Sequence, residues 1–460
     1  MQPMRFLSLV VRTFAILAVL TGAMFRYLGR RLVSGRMDAD ARDHLRGQVL
    51  VSALDRLGAT YVKLGQILST RPDIIPEGIV RELETLQDNV RPIPFAQVQH
   101  VIDQDLPPAA RARIVSIDPV PVAAASVAQV HKGVLDDGQV VAIKVQRPLA
   151  APQIERDLVL MDLGARVLEW IPSLKLLSLR GSVAQFAEAM HRQVDFEKEA
   201  SNNRRFAANF ADVDGVGVPA LVEDLCSRRV LTMAFVDGVR ATEPEKVGGD
   251  RKLLARRGAG AIQQMVFKDG FVHADLHPGN ILLTDAGEVV LIDLGLTAEI
   301  PKDLMRPFIE TFHALSQKDG KAAARLFYVY APTVGTKDYA QYEREVTEYF
   351  DTFYGKPLGE LEASEVVTGI MNILRRHKVQ IDPSFTVVHI AMLVAEGLGK
   401  QLDPDIDLIE FATPMLLEVV VTAPPGRAPE REVPGAAEAA RAAREAKAAR
   451  RAARRSAQAE

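Results

Sequence analysis

Apolar side chains recur at intervals of three and four through Leu50, Leu54, Leu57, Tyr61, Leu64 and Leu68, a spacing that predicts helix from Met37 to about Asp105. Ahead of it the run Phe6–Phe25 is apolar throughout except for positions such as Arg12, and Arg26, Arg30 and Arg31 follow it. Its length is close to the roughly 20 residues that cross a bilayer, but an arginine within hydrocarbon is costly. The run therefore predicts a membrane-contacting helix, either spanning or interfacial. Valine-rich segments then replace the helical spacing: Val127–Leu135 and Gln139–Gln146 predict two strands joined by the tight-turn sequence Asp136-Asp137-Gly138. Helical spacing returns over Gln153–Trp170 and Ser182–Phe210, and Val230–Gly238 reads as a buried strand running into a connector. From Pro301 to about Val421 several amphipathic helices follow, interrupted at Pro332, Pro357 and Pro383. Beyond Ala423 proline, then alanine and arginine, dominate, which predicts a solvated, partly helical tail with attraction for anionic headgroups.

Composition sets limits on this plan. With 460 residues, 48% hydrophobic and 25% charged, the chain can bury one large core or two ordinary ones. A net charge of −3 gives no support for nucleic-acid binding, which concentrates positive charge. The single cysteine, Cys226, excludes an intrachain disulfide and is read as a buried thiol in a reducing compartment.

The chemistry centres on His273-Ala274-Asp275-Leu276-His277-Pro278-Gly279-Asn280, followed by an apolar hairpin and Asp293-Leu294-Gly295. Phosphoryl transfer from a nucleotide needs a divalent cation held by hard oxygen ligands and a side chain that orients the attacking hydroxyl. In this order of residues Asp275 would orient the nucleophile, while Asn280 and Asp293 would hold the metal, as in the kinase catalytic loop. Upstream, Val141-Ala142-Ile143-Lys144 matches the kinase strand whose lysine contacts phosphates and pairs with a helix glutamate. Glu199 is the expected partner of Lys144, with Glu197 as its rival. The small-residue stretch Ala123-Ala124-Ala125-Ser126 takes the place of a glycine-rich phosphate loop, and alanine methyls restrict how closely amides approach a phosphate. Backbone groups of Ala234 to Val236 would read the adenine.

Two departures bear on the acceptor. Ala274 stands where regulated protein kinases have arginine, and the sequence after Gly295 returns to a helical pattern without an Ala-Pro-Glu platform. A small molecule or water fits better than a peptide.

Together these motifs, with Lys63-Leu64-Gly65-Gln66 and Asp195, resemble the UbiB-like atypical kinase family, the kinase-like proteins linked to ubiquinone biosynthesis, from about Arg46 to about Leu408. The resemblance implies an α+β, bilobal protein-kinase-like fold with a small β-rich lobe, an all-helical large lobe and an N-terminal helical extension over the cleft. The expected divisions are a membrane-associated segment 1–36, the extension 37–112, the nucleotide-binding lobe 113–237, the catalytic lobe 238–422 and the tail 423–460. It further implies ATP and Mg2+ as cofactors, and regulatory roles for Lys63, Gln66 and Asp195, with Lys63 folded across the site and paired to Asp195. Where the family commonly has Glu-x-Asp, this chain has Gln193-Val194-Asp195.

The activity implied is ATP hydrolysis, or phosphorylation of a small molecule or lipid, in support of ubiquinone or related isoprenoid-quinone synthesis. Membrane lipids or quinone precursors, and quinone-biosynthesis enzymes, are the implied partners. The implied location is the inner (cytoplasmic) membrane, with the catalytic body on the cytoplasmic side. An aminoglycoside- or choline-type phosphotransferase, which shares His-x-Asp-x-x-x-x-Asn, and a non-catalytic, nucleotide-gated lipid-binding scaffold are the alternatives.

Overall fold

The computed structural model describes residues 3–33, 37–69, 75–86, 91–170, 179–352, 363–406, 408–423 and 425–434. Arg71 to Ile74 of the expected helical extension, Pro357, and the alanine-arginine tail beyond 434 lie outside the described residues. Two units divide the chain. The first comprises 1–265, 271–298 and 393–406, and the second 266–270, 299–392 and 407–460.

The first unit opens with helices α1 (Pro3–Val33), α2 (Ala39–Leu57), α3 (Ala59–Ser69), α4 (Glu77–Leu83), α5 (Phe95–Asp105) and α6 (Pro108–Ala112). Asp38 caps α2 by accepting the Ala41 N–H, and Gly58, at φ 92°, takes the left-handed turn that starts α3 in a new direction. Leu54, Leu57, Tyr61 and Leu83 bury one face of α2, α3 and α4 in a shared core. Gly65 is needed at that crossing, because a methyl there would meet Leu86 and Leu54.

Strands β1 (Ile114–Ala124), β2 (Ala128–Leu135) and β3 (Val140–Gln146) follow, and β5 (Val230–Ala234) completes an antiparallel sheet in the order β1-β2-β3-β5. Its inner face packs Ile143, Val145 and Val230 on Val98 and Ile102 of α5. Between β3 and β5 lie α7 (Ala150–Leu168), α8 (Leu179–Gln193), α9 (Phe196–Asn209) and the short β4 (Val216–Gly217). The single helix expected over Ser182–Phe210 is thus two: Asp195 leaves the helical conformation, at φ −120° and ψ 96°, and caps α9 through the Glu197 N–H. The buried positions step by four through Phe186, Met190 and Val194 and then by two to Phe196, a single irregularity at the break in an otherwise helical pattern.

After β5 come β6 (Val239–Arg240), α10 (Arg251–Gln263), β7 (Phe271–His273), β8 (Ile281–Leu283), β9 (Val289–Leu291) and β10 (Thr297–Glu299). A second sheet has the order β4-β9-β8-β6, with β4 parallel to β9. A strand from before the connector thereby pairs with the hairpin that follows the loop 273–280. The first unit takes in 238–265 and 271–298 as well.

In the second unit, α11 (Lys302–Ser316), α12 (Gly320–Tyr330), α13 (Tyr339–Asp351), α14 (Ala363–Arg376) and α16 (Leu408–Thr422) are accompanied by a two-residue ladder of β11 (Thr333–Val334) with β12 (Val379–Gln380). Helix α15 (Pro383–Leu402) contributes its first half here and its last turns to the first unit. Tyr342, Phe350, Ile370 and Leu374 fill the core. Residues 425–434, expected within a solvated tail, are instead held as a strap. The Arg431 guanidinium donates to the carbonyls of Tyr328 at 3.0 Å and Ala331 at 2.7 Å, and Glu430 N–H to Val329 O at 2.8 Å.

Candidate active site

Lys144 sits in the middle of β3, opposite Leu231 of β5, and is 7% exposed. An ammonium so enclosed needs carboxylates. It has two: Glu199 of α9, at 2.7 and 2.9 Å, and Asp293, at 2.8 Å. Of the two glutamates left open, Glu199 is buried and Glu197 exposed, because α9 begins at Phe196 and turns them to different faces. Burial works against the Lys144 charge, but Asp293 and Glu199 together hold its pKa above the ordinary lysine value. Partial enclosure likewise opposes ionisation of Asp293, and the Lys144 ammonium overrides it, holding this carboxyl far below the usual range. Burial, reinforced by the Asp293 charge, raises Glu199 against the opposing pull of Lys144.

Short strands position the remaining groups. The antiparallel pair β8 and β9 carries Asn280 immediately before it and Asp293 two residues after it, and Ile292 N–H donates to Asn280 O at 2.9 Å. Asp293 has φ 57°, a left-handed conformation rare outside glycine. Asn280, buried, donates its side-chain amide nitrogen to the Asp275 carbonyl at 3.1 Å, so that its amide oxygen is the atom that could face a cation. His273, buried at the end of β7, accepts the Asp275 N–H at Nδ1 over 3.2 Å. Burial lowers its pKa, so it is a neutral positioning group for the loop.

The Asp275 carboxylate has an unexpected partner. Lys63, 6% exposed on α3, donates its ammonium to Asp275 Oδ2. The expected partner, Asp195, is occupied as the N-cap of α9, so that pairing is corrected. Partial burial opposes the Asp275 charge, while the charge and hydrogen bond of Lys63 win and lower its pKa. Gln66, one helical turn on, does not join Lys63 at this carboxylate but donates to Leu86 O at 3.3 Å, fastening α3 to the segment after α4.

Two other expectations change in detail. Ala123 and Ala124 are not loop residues but the end of β1, paired with Val130 and Gln129. The turn is confined to Ala125, Ser126 and Val127, closed by Ala125 N–H to Ala128 O at 2.8 Å. Alanine's methyl disfavours the positive φ that glycine would allow, and the hairpin closes within three residues. In the connector, the Ala234 N–H is spent on Ala220 O at 2.7 Å and cannot also face a base; Val236 follows in the segment after β5. Sequence reasoning passed over Asn202, which donates to the Leu294 carbonyl at 2.8 Å and so ties the Asp-Leu-Gly turn to the helix of Glu199. The i,i+3 spacing of Glu199 and Asn202 on one helix face was the available signal. Met233, which clusters with Ala142 beside Val127, was also passed over.

A buried lysine–glutamate pair, an Asp-x-x-x-x-Asn loop and an Asp-Leu-Gly turn on a β-rich sheet with helices define a protein-kinase-like protein. Residues 85–327 match the ABC1 atypical kinase-like domain and residues 346–407 the UbiB helical domain. The chain is 32% identical over 387 residues to a probable protein kinase UbiB of Erwinia tasmaniensis, covering 82% of this chain and 70% of that protein. It is 31% identical to a probable protein kinase UbiB of Marinobacter nauticus over 81% and 69% of the two chains. A solved structure of Rv3197 with erythromycin, from Mycobacterium tuberculosis, shares the fold with a TM-score of 0.53 and 24% identity, over 78% of this chain and 92% of that one. This chain belongs to the UbiB-like, ABC1 atypical kinase-like family.

Proposed function

We propose that this chain binds ATP with Mg2+ and hydrolyses it, or transfers its phosphoryl group to a small or lipid-type acceptor, in support of ubiquinone or related isoprenoid-quinone synthesis at a membrane. The observation that carries this reading is the Lys63 ammonium, delivered by the N-terminal extension onto the carboxylate that would orient the nucleophile. A hydroxyl seeking Asp275 must displace it beneath α3, which suits water or a slender acceptor better than a polypeptide. The few residues between Gly295 and α11 offer no long peptide platform either.

The residues fit the cofactor. The Lys144 ammonium holds the Asp293 carboxyl well below its ordinary pKa, and Asn280 presents an amide oxygen. Among the described residues no group of three or more His, Cys, Asp or Glu side chains could hold a metal, so phosphate oxygens would complete the shell, as is usual for magnesium. Bound magnesium would neutralise charge on the phosphates during transfer. Lys144, steadied by Glu199, would turn from Asp293 to the phosphates, and Asp275, released by Lys63, would orient the acceptor.

Phosphate release from MgATP by the wild-type chain and by Asp275→Asn tests the enzymatic part. Turnover abolished by the substitution, with binding kept, supports it; bound ATP without turnover in either protein would replace it with a nucleotide-gated scaffold. The quinone assignment draws on the names of the UbiB relatives, and lipid profiling of a deletion strain tests it, with loss of a quinone or build-up of its precursor expected.

A further inference from the structure

Helix α1 is long and apolar enough to cross a membrane over Leu7–Val33. The structure assigns it a different use: we infer that α1 lies in the plane of a lipid bilayer, as an interfacial anchor fixed to the protein body along one side. This rests on the membrane part of the proposed function and not on phosphoryl transfer.

The inner stripe of α1 is built for the protein. Arg12 forms a two-pronged pair with Asp157 of α7, Nε to Oδ1 at 2.7 Å and Nη2 to Oδ2 at 2.9 Å, and donates to Leu57 O at 2.6 Å. The Asp157 side chain is wholly buried. Ile16 and Val19, one and two turns on, pack against the core of Leu54, Leu57 and Tyr61. A carboxylate buried to this degree is strongly destabilising without its cation. Carrying α1 across a bilayer would strip Asp157 of Arg12 and place an arginine in hydrocarbon. The position that makes a span costly is therefore the one that docks the helix.

The outer stripe is built for something apolar. Phe14, Leu17 and Phe25 are 68%, 53% and 70% exposed, and Leu28 is exposed beside them. Such a face on a helix of 31 residues, about 46 Å long, exceeds the scatter of single exposed hydrophobics. Its carboxy-terminal turn carries Arg30 and Arg31, both exposed, and its first turn has no acidic residue. Bulky apolar side chains along one face with arginines at an end complement anionic lipid headgroups over acyl chains.

The test places a single tryptophan at position 14 or 25 in the full chain, with Trp170, the only native tryptophan, replaced by phenylalanine. Vesicles of phosphatidylcholine and phosphatidylglycerol, brominated at shallow or deep acyl positions, serve as quenchers. Positions 14 and 25 lie on one face about 16 Å apart along the axis. An in-plane helix gives the same shallow depth at both. Different depths would overturn the inference in favour of a span, and absence of quenching, with or without dimers in solution, would overturn it in favour of a protein partner. A second pair of variants guards against misfolding: Leu17→Glu should release the protein from vesicles with its melting temperature kept, whereas Arg12→Leu should lower the melting temperature. Failure of the unsubstituted chain to bind these vesicles, with its ATP turnover intact, would sink this inference alone.

Discussion

Two lysines, each brought to a carboxylate, organise the site at the scale of residues. Lys144 is held between Glu199 and Asp293, and Lys63 covers Asp275. Asp275 is about one third exposed, so its pair with Lys63 is worth about 1 kcal/mol. Lys63→Ala should therefore free the carboxylate and raise ATP turnover by about fivefold, measured as phosphate release. The same pair has a pH signature. Asp275 has a lowered pKa in the folded state, so its contribution is present above the unfolded value near 3.8 and is lost as pH falls through the lower folded value. Acidification below about pH 4 should cost the wild type more melting temperature than it costs Lys63→Ala; equal losses would mean that the pair does not stabilise the fold. Much of this was legible. Lys144, Asp275, Asn280 and Asp293 sit in local motifs whose chemistry is written in their spacing. The Lys63 partner was not, because it lies 212 positions away and helical spacing alone makes Lys63 a surface residue.

Elements determine how far those residues can move. Asp195 acts here as the cap of α9, the helix that carries both Glu199 and Asn202. Asp195→Ala should cost about 1 kcal/mol in thermal or urea unfolding. It should also weaken MgATP affinity through Glu199, whereas a residue paired to Lys63 would change turnover first. Gly65→Ala forces a methyl between Leu86 and Leu54 at the crossing that carries Lys63. A loss of about 1–3 kcal/mol is expected, together with raised turnover as α3 shifts off Asp275. Unchanged stability would mean that the two leucines yield freely. The helices of the extension were read correctly from spacing, because buried Leu54, Leu57 and Tyr61 recur at three and four. The break at Asp195 and the strand character of Ala123 and Ala124 were not, since the step of two from Val194 to Phe196 is one irregularity in a helical pattern and small residues carry no alternation.

For the whole molecule, the kinase-like class follows from the order of motifs more than from periodicity. The strands around the loop 273–280 are three residues long, too short for alternation to declare itself, while the motifs they carry are unmistakable. The pairing of β4 with β9, which joins the β8–β9 hairpin and a preceding segment in one unit, has no sequence signature. The central proposal is a divided site, in which Asp293 would serve the cation of a bound nucleotide and Asp275 would serve the acceptor. Calorimetric titration of MgATP into wild type, Asp293→Asn and Asp275→Asn tests that division most directly. Binding lost in Asp293→Asn and kept in Asp275→Asn is the predicted result; equal affinities in the two variants would contradict it.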